Sequence, residues 1–305
     1  MIFFSKTGIA DTQTADALLC LMPPIFESNG EEIPFTAADG KYTAEGFAAE
    51  DKVEALGDGL FRVHRSVTNT GVGARTGKWI IEARDLFATD RYLIPCVSFS
   101  GNVRSMGKEP HGLCDGGKPW IFAYDRTGIP SCSLTEDAFR VVALFAADTD
   151  ETSLVSSVSL TENPDGSLDH HLYYPYIESP YSYTNTDTLT APYETFLAFA
   201  PGEEKIFTFY IFVGAPKWKN FGMASLIDRL DELHNPDLPP VTDARTLWDA
   251  GIDYIGSLRR EYRGRGLFAS ARRAEGNLTL NLYGGSITGN TAAGSTGNGG
   301  GVYIY

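Results

Sequence analysis

The sequence predicts a mainly β protein: a large antiparallel sandwich followed by two helices and a Gly-rich β tail. Three observations carry this. From Leu60 onward apolar residues alternate with period two between turn residues; at Asn220 the period changes to 3.6; after Gly264 the chain turns into a coil rich in glycine. The boundaries implied are a sandwich over 1–217, a linker helix and the first helix of an incomplete helical domain over 218–266, and a poorly ordered tail over 267–305.

The first 55 residues read weakly, with short extended pieces at Phe3 to Lys6 and Ile33 to Thr36. Beyond them Phe61, Val63 and Val67 share one face of a strand, and Trp79, Ile81 and Ala83 share one face of the next. In Leu154 to Leu160 the apolar Leu154, Val158 and Leu160 oppose Ser153, Ser157 and Ser159, the pattern of a strand with one buried and one wet face. Leu168 to Tyr174 follows Asn163-Pro164-Asp165-Gly166, whose Pro and Gly suit a tight reversal, so the two segments form a hairpin. Two strands break the alternation. Ala138 to Ala146 and Ile206 to Val213 are apolar on nearly both faces, which predicts stacked sheets with at least one covered on its outer side as well.

In the helical region Met223, Leu226, Ile227, Leu230 and Leu233 fall on one face, and Asn235-Pro236 stops the helix. That face is expected to dock on the sandwich. After a stiff Pro236 to Val241 linker, a second helix starts at Thr242 or Asp243 as N-cap and runs to about Arg263, with Leu247, Trp248, Ile252, Ile255 and Leu258 inside. Asn277 to Tyr305, with Gly284-Gly285-Ser-Ile-Thr-Gly-Asn-Thr and Gly299-Gly300-Gly301-Val-Tyr, resembles one coil of the β-helix of bacterial adhesins and autotransporter-like proteins. A single coil cannot bury its own apolar face.

The chain has 305 residues, 43% of them hydrophobic and 12% aromatic, and a formal net charge of −14. That charge opposes nucleic acid and anionic membrane and favours neutral or cationic ligands. Aromatic side chains serve cores and also the flat platforms on which sugar rings stack. The start lacks a basic region followed by an apolar one, and no stretch approaches the ~20 apolar residues of a spanning helix, so a cytoplasmic location is expected. Cys20, Cys96, Cys114 and Cys132 are far apart, never form CxxC, and read as idle thiols in a reducing compartment. No motif calls for a cofactor. His170 and His171 point to opposite faces of a strand and cannot chelate one metal side by side. The run Asp148, Asp150 and Glu151 lacks the Gly and distal Glu of a calcium loop. The sequon at Asn277 has meaning only in a secreted chain.

Most recognisable is the block Arg91 to Ser133. Strands at Tyr92 to Ser100 and Trp120 to Tyr124 flank a polar loop with Asn102, Arg104, Lys108, Glu109, His111, Asp115 and Lys118, and loops of this length in a compact sandwich are often functional. With Arg84-Asp85-Leu-Phe before it and Phe212-Val-Gly-Ala-Pro-Lys-Trp-Lys-Asn after, the block resembles the N-terminal, galactose-mutarotase-like β-supersandwich of bacterial glycoside hydrolases whose catalytic part is a following α/α toroid. The likeness runs from about Leu60 to Arg263. It implies a sandwich that packs against a helical domain and lends a loop to an oligosaccharide site, with Asn102, Arg104, Glu109, His111, Trp120, Asp125 and Arg126 as substrate-binding candidates. It also implies that the catalytic carboxylates, of which glycoside hydrolysis needs two, belong to the toroid.

Read on their own, several of these residues have plainer roles: Asp125-Arg126 as an ion pair or turn determinant, Trp120 as core, His111 as a solvated loop residue. Glu82, Asp85, Glu109, Asp115 and Asp125 are carboxylates of suitable type, and nothing in sequence brings two together. The functional expectation is an accessory carbohydrate-associated sandwich, inactive alone. The alternatives are an adhesive surface protein continuing into a β-helix, or a mutarotase-like sugar epimerase. The last requires a His and a Glu facing one cleft.

Overall fold

The computed structural model describes residues 1–38, 41–104, 110–148, 154–185, 188–234, 243–262 and 265–268. It is mainly β, with antiparallel sheets and two helices, and its contacts divide the chain into units 1–235 and 236–305. Among the described residues the first unit holds two large sheets. A ten-stranded sheet runs in the order Phe122–Ala123, Ser157–Glu162, Leu168–Tyr174, Arg75–Asp85, Leu19–Leu21, Ile2–Ser5, Gly8–Ala10. Ile25–Ser28 and Leu197–Phe199 also pair with Arg75–Asp85. A nine-stranded sheet runs Ser98–Phe99, Arg91–Ile94, Ser133–Glu136, Val141–Ala146, Glu204–Gly214, Leu60–Asn69, Phe47–Gly57, Lys41–Ala44, Thr36–Ala38. The first 55 residues thus supply strands to both sheets, more than their weak patterning predicted.

Alternation along each strand decides the layers. Trp79, Ile81 and Ala83 point inward with Leu172 and Tyr174, and meet Val142, Leu144, Phe207, Phe209 and Ile211 of the other sheet in one core. Its centre is aromatic: the Trp79 ring lies 5.0 Å from Phe26, 5.2 Å from Phe47, 5.8 Å from Phe199 and 6.0 Å from Phe207, with tilted and edge contacts of the kind aromatic quadrupoles favour. Two charges share this interior. Asp51 and Arg65 are cross-strand partners whose side chains are each 1% exposed, joined by two 2.6 Å hydrogen bonds. Such a pair is tolerated because each charge keeps its partner after desolvation. At Gly59 (φ +78°) the hairpin between Phe47–Gly57 and Leu60–Asn69 turns where a Cβ would lie 1.9 Å from the Val213 carbonyl oxygen, so only glycine fits.

The doubly apolar strands have a simple explanation. The outer face of the nine-stranded sheet, with Leu60, Leu134, Val141, Ala143, Phe145, Tyr210 and Phe212, is covered by α1 (Gly222–His234) through Met223, Leu226, Leu230 and Leu233. Ile227, expected on the same face, is 45% exposed. The first helical turn is anchored by Glu136, whose Oε2 accepts from the Gly222 N–H at 2.7 Å and whose Oε1 lies 3.3 Å from Arg91. A carboxylate here satisfies an orphan amide and opposes the positive end of the helix dipole.

Two local expectations are corrected. The Ala138 to Ala146 segment is a strand only over Val141–Ala146, because the Asp137 carboxylate accepts from the Phe139 and Arg140 amides and bends the chain into a turn. The strand placed at Leu154 to Leu160 spans Ser157–Glu162, and Ser157 and Ser159 are buried: Ser157 exchanges hydrogen bonds with the Ile177 backbone, and Ser159 bonds the Tyr173 hydroxyl at 3.1 Å. The hairpin to Leu168–Tyr174 forms as predicted, with Gly166 at φ +80°.

In the second unit, α2 spans Ala244–Ser257, its N-cap Asp243 accepting from the Arg245 and Thr246 amides. It stops before the predicted end, and Arg259–Tyr262 pairs with Arg265–Phe268. Leu247, Trp248, Ile252 and Ile255, expected inside, are 62%, 66%, 51% and 49% exposed. The adhesin-like segment from Asn277 lies outside the described residues.

Candidate functional site on the ten-stranded sheet

The outer face of the ten-stranded sheet is built row by row from strand register. Lys78 is the Cα partner of Glu27, Ile80 of both Ile25 and Tyr173, Glu82 of His171 and Arg84 of Asp169; on the far side Ser159 opposes His171. These residues are the alternate set to Trp79, Ile81 and Ala83, so the strand that fills the core also paves this face. The face is concave. It lines a cavity of about 770 Å³ whose polar groups include Glu27, Glu32, Lys78, Glu82, Lys118, His171, Tyr173 and Glu194, with Ile25, Ile80, Ile121 and Ile177 as a largely buried apolar patch. The volume is that of a small-molecule site, and the mixture of an apolar floor with a few convergent polar groups is what such sites use.

His171 and Glu82 face one another in its floor, Nε2 to Oε2 at 3.7 Å, with side chains 12% and 15% exposed. The other ring nitrogen, Nδ1, is buried and has no hydrogen-bond partner among the described residues. A buried polar atom left unpaired costs about 1–3 kcal/mol, so this ring is only loosely tethered. Tyr173, stacked on His171 at 6.1 Å, has its hydroxyl pushed up to about 12 by burial and by the nearby charges of Glu27, Glu32 and Glu82, and so remains a proton-bearing donor. Lys78 is nearly enclosed and reaches Glu27 at 2.9 Å and Glu194 at 3.3 Å, tying the cleft wall to the sheet. At the next same-face pair along these strands, burial alone would raise the Asp169 carboxyl. Two hydrogen bonds from Arg84 at 2.7 and 2.9 Å and one from Asn163 at 2.9 Å instead hold it below the usual carboxylate range. The face can therefore bind a polar molecule and exchange protons with it.

His170 points the other way, as its neighbour's position demands. Its Nδ1 bonds Ser133 Oγ at 2.8 Å and its Nε2 lies 3.1 Å from Asp85 and 3.2 Å from Thr135. Serine, histidine and aspartate in sequence invite a catalytic reading. All are buried, with Ser133 and His170 at 0% exposure, and they link the two sheets through the core instead of meeting a ligand.

Ser100 and the segment 112–119 line another cavity of about 490 Å³ together with Asp90, Tyr92 and Glu162. Among the described residues, the candidates named from sequence do not line it. Asn102 staples its own loop, accepting from the Phe99 amide and donating to the Val97 and Pro110 carbonyls. Arg104 and His111 are exposed, and Glu109 lies outside the described residues. Trp120 is 6% exposed, stacks on Phe122 at 6.1 Å and donates its indole N–H to the His111 carbonyl, which is a core role. Asp125 and Arg126 line a third cavity, where Arg126 pairs with Glu178 at 2.7 Å. Of the carboxylates weighed by type, Glu82 reaches the cleft and Asp85 is spent in the core. His171, Tyr173, Lys78, Glu27 and Glu194 were missed; the readable signal was the set Lys78, Glu82 and Arg84 alternating with the apolar Trp79, Ile81 and Ala83 of the same strand.

No protein-family model matches the chain, and no curated protein matches it. Among solved structures it is similar to a protein of Synechocystis sp. PCC 6803, at 10% identity over 70% of this chain and 84% of that one, with a TM-score of 0.34. It is also similar to a candidate aldose 1-epimerase of Escherichia coli K12, at 12% identity over 67% of this chain and 84% of that one, TM-score 0.29. A third likeness is to the galactosidase domain of an alpha-galactosidase-sucrose kinase, at 11% identity over 70% of this chain and 29% of that one, TM-score 0.30. At these TM-scores the likenesses assign no chemistry to this chain.

Proposed function

We propose that the chain binds a free aldose in the cleft of its ten-stranded sheet and opens and recloses the sugar ring there, interconverting the two anomers. The observation that carries this is the pairing of His171 with Glu82 in the cleft floor, Nε2 to Oε2 at 3.7 Å. Ring opening needs one group to take the proton from the anomeric hydroxyl and another to give a proton to the ring oxygen as the C1–O5 bond breaks. Glu82 takes the first role and His171 the second. The open-chain aldehyde then rotates about C1–C2 and closes from its other face, with the two protons returned, so atoms and electrons balance without any further reactant. Tyr173 and Lys78 are placed to hold hydroxyls, and the isoleucine patch meets the ring's C–H face. The cleft's excess of carboxylates favours neutral sugars over phosphorylated or acidic ones.

The test is the optical rotation of freshly dissolved α-D-glucose, D-galactose or D-xylose, whose relaxation the protein should accelerate above the spontaneous rate. His171→Ala and Glu82→Gln should each slow the accelerated rate by roughly 10²–10⁴-fold, the usual contribution of one acid–base group. Relaxation unaffected by the protein for all three sugars rules the reading out.

A second reading is favoured by α2. Its exposed Leu247, Trp248, Ile252 and Ile255 form the kind of apolar face a helical partner covers, which suits an accessory sandwich of a glycoside hydrolase. Under that reading the chain alone leaves anomer exchange unchanged.

A further inference from the structure

The strands Ile177–Glu178 and Tyr193–Glu194 form a two-stranded ribbon whose two faces look into different cavities. Ile177 and Glu194 are Cα partners and line the cleft described above. Glu178 and Tyr193, the next partners along, line a separate cavity of about 230 Å³ with Asp125, Arg126, Tyr176 and Ser182. Period two in both strands is what splits the faces. We propose that this second cavity is a binding site for a single neutral sugar ring, separate from the site of ring opening.

Size is the first argument. Pockets for drug-sized ligands run roughly 300–1,000 Å³, and this one is smaller, enough for one ring and not for a chain of them. The second is its surface. Tyr176 and Tyr193 stack with centroids 5.0 Å apart at 27°, and Tyr193 is 46% exposed, so a flat aromatic face is open to the cavity. Stacked C–H faces of sugars fit such platforms, and the tyrosine hydroxyls add donors at the edge. The third is its charge. Glu178, 3% exposed, accepts from Arg126 Nε at 2.7 Å and from the Ser182 hydroxyl, which fixes both side chains in place. Arg126 keeps donors beyond those used by Glu178, and exposed Asp125 beside it offers only acceptors. A donor and an acceptor held side by side match adjacent hydroxyl groups. An anion is disfavoured because Arg126 is already neutralised and Asp125 adds negative charge.

The experiment uses the full chain with tyrosine rings carbon-13 labelled and the methyl glycosides of glucose, galactose and xylose as probes. These cannot open, so the readout is binding alone and is independent of turnover in the cleft. The Tyr176 and Tyr193 ring signals should shift saturably with at least one glycoside. Tyr193→Ala, at a half-exposed position the fold tolerates, should weaken the Tyr176 response about tenfold, the equivalent of one stacking contact, while Tyr193→Phe should retain it. His171→Ala should leave the response intact, showing that the two cavities act separately. Ring signals that stay fixed or drift linearly with all three glycosides, or a response lost in His171→Ala, overturn the proposal.

Discussion

Asp169 carries a prediction that depends on the sign of its shift. Its folded-state value lies below the ordinary 3.8 because Arg84 and Asn163 outweigh burial. A carboxyl depressed in this way stabilises the fold above its unfolded value and loses that contribution as pH falls through the folded one. Arg84→Met removes the stabilisation. The stability gap between parent and variant in urea should therefore be full at neutral pH and close below about pH 4, whereas a gap independent of pH would refute the role given to this pair. At this scale the sequence was only partly legible. Glu82 was recognisable as a carboxylate of suitable type, and the opposite facings of His170 and His171 followed from strand geometry. Which of the two histidines lined the cavity depended on strands some 90 residues apart, and no local pattern encodes that.

Among the elements, α1 was the most legible, since its 3.6 periodicity named the residues that dock. Leu226 is fully buried against Leu134, Val141 and Phe212 of the nine-stranded sheet. Leu226→Asp should cost about 3 kcal/mol or more in urea unfolding, the burden of an unpaired charge added to lost packing. Ile227→Asp, one position on and 45% exposed, should stay within about 0.5 kcal/mol. Equal effects at the two positions would contradict the docking. The same helix explains the strand Glu204–Gly214, whose apolar residues on both faces pointed to a cover. The strand order that sets α1 over these residues rather than over the other sheet is a matter of long-range pairing. By contrast, the sequence signals for Ser157 and Ser159 were misleading, because small hydroxyls tolerate burial when a neighbouring backbone or tyrosine satisfies them.

For the whole molecule, the sheet-on-sheet architecture divides labour between two outer faces. One is apolar and covered by α1; the other carries polar and apolar side chains that line a cavity. The alternation that predicted stacked sheets could not say which outer face was open, and attention went to the long loop of the Arg91 to Ser133 block because loops announce themselves in sequence and concave sheet faces do not. A net charge of −14 agrees with a cleft in which Glu27, Glu32, Glu82 and Glu194 outnumber Lys78 and Lys118, and both disfavour anionic ligands.

The account rests on the open face being the working surface of this chain. Nitrogen-15 spectra of the histidine rings, recorded while D-glucose is added, test that most directly. The His171 ring signals should move saturably while those of His170, enclosed in the core, stay fixed, and glucose 6-phosphate should shift His171 far less than glucose does. Fixed His171 signals throughout the titration, or a stronger response to the phosphorylated sugar, would contradict it.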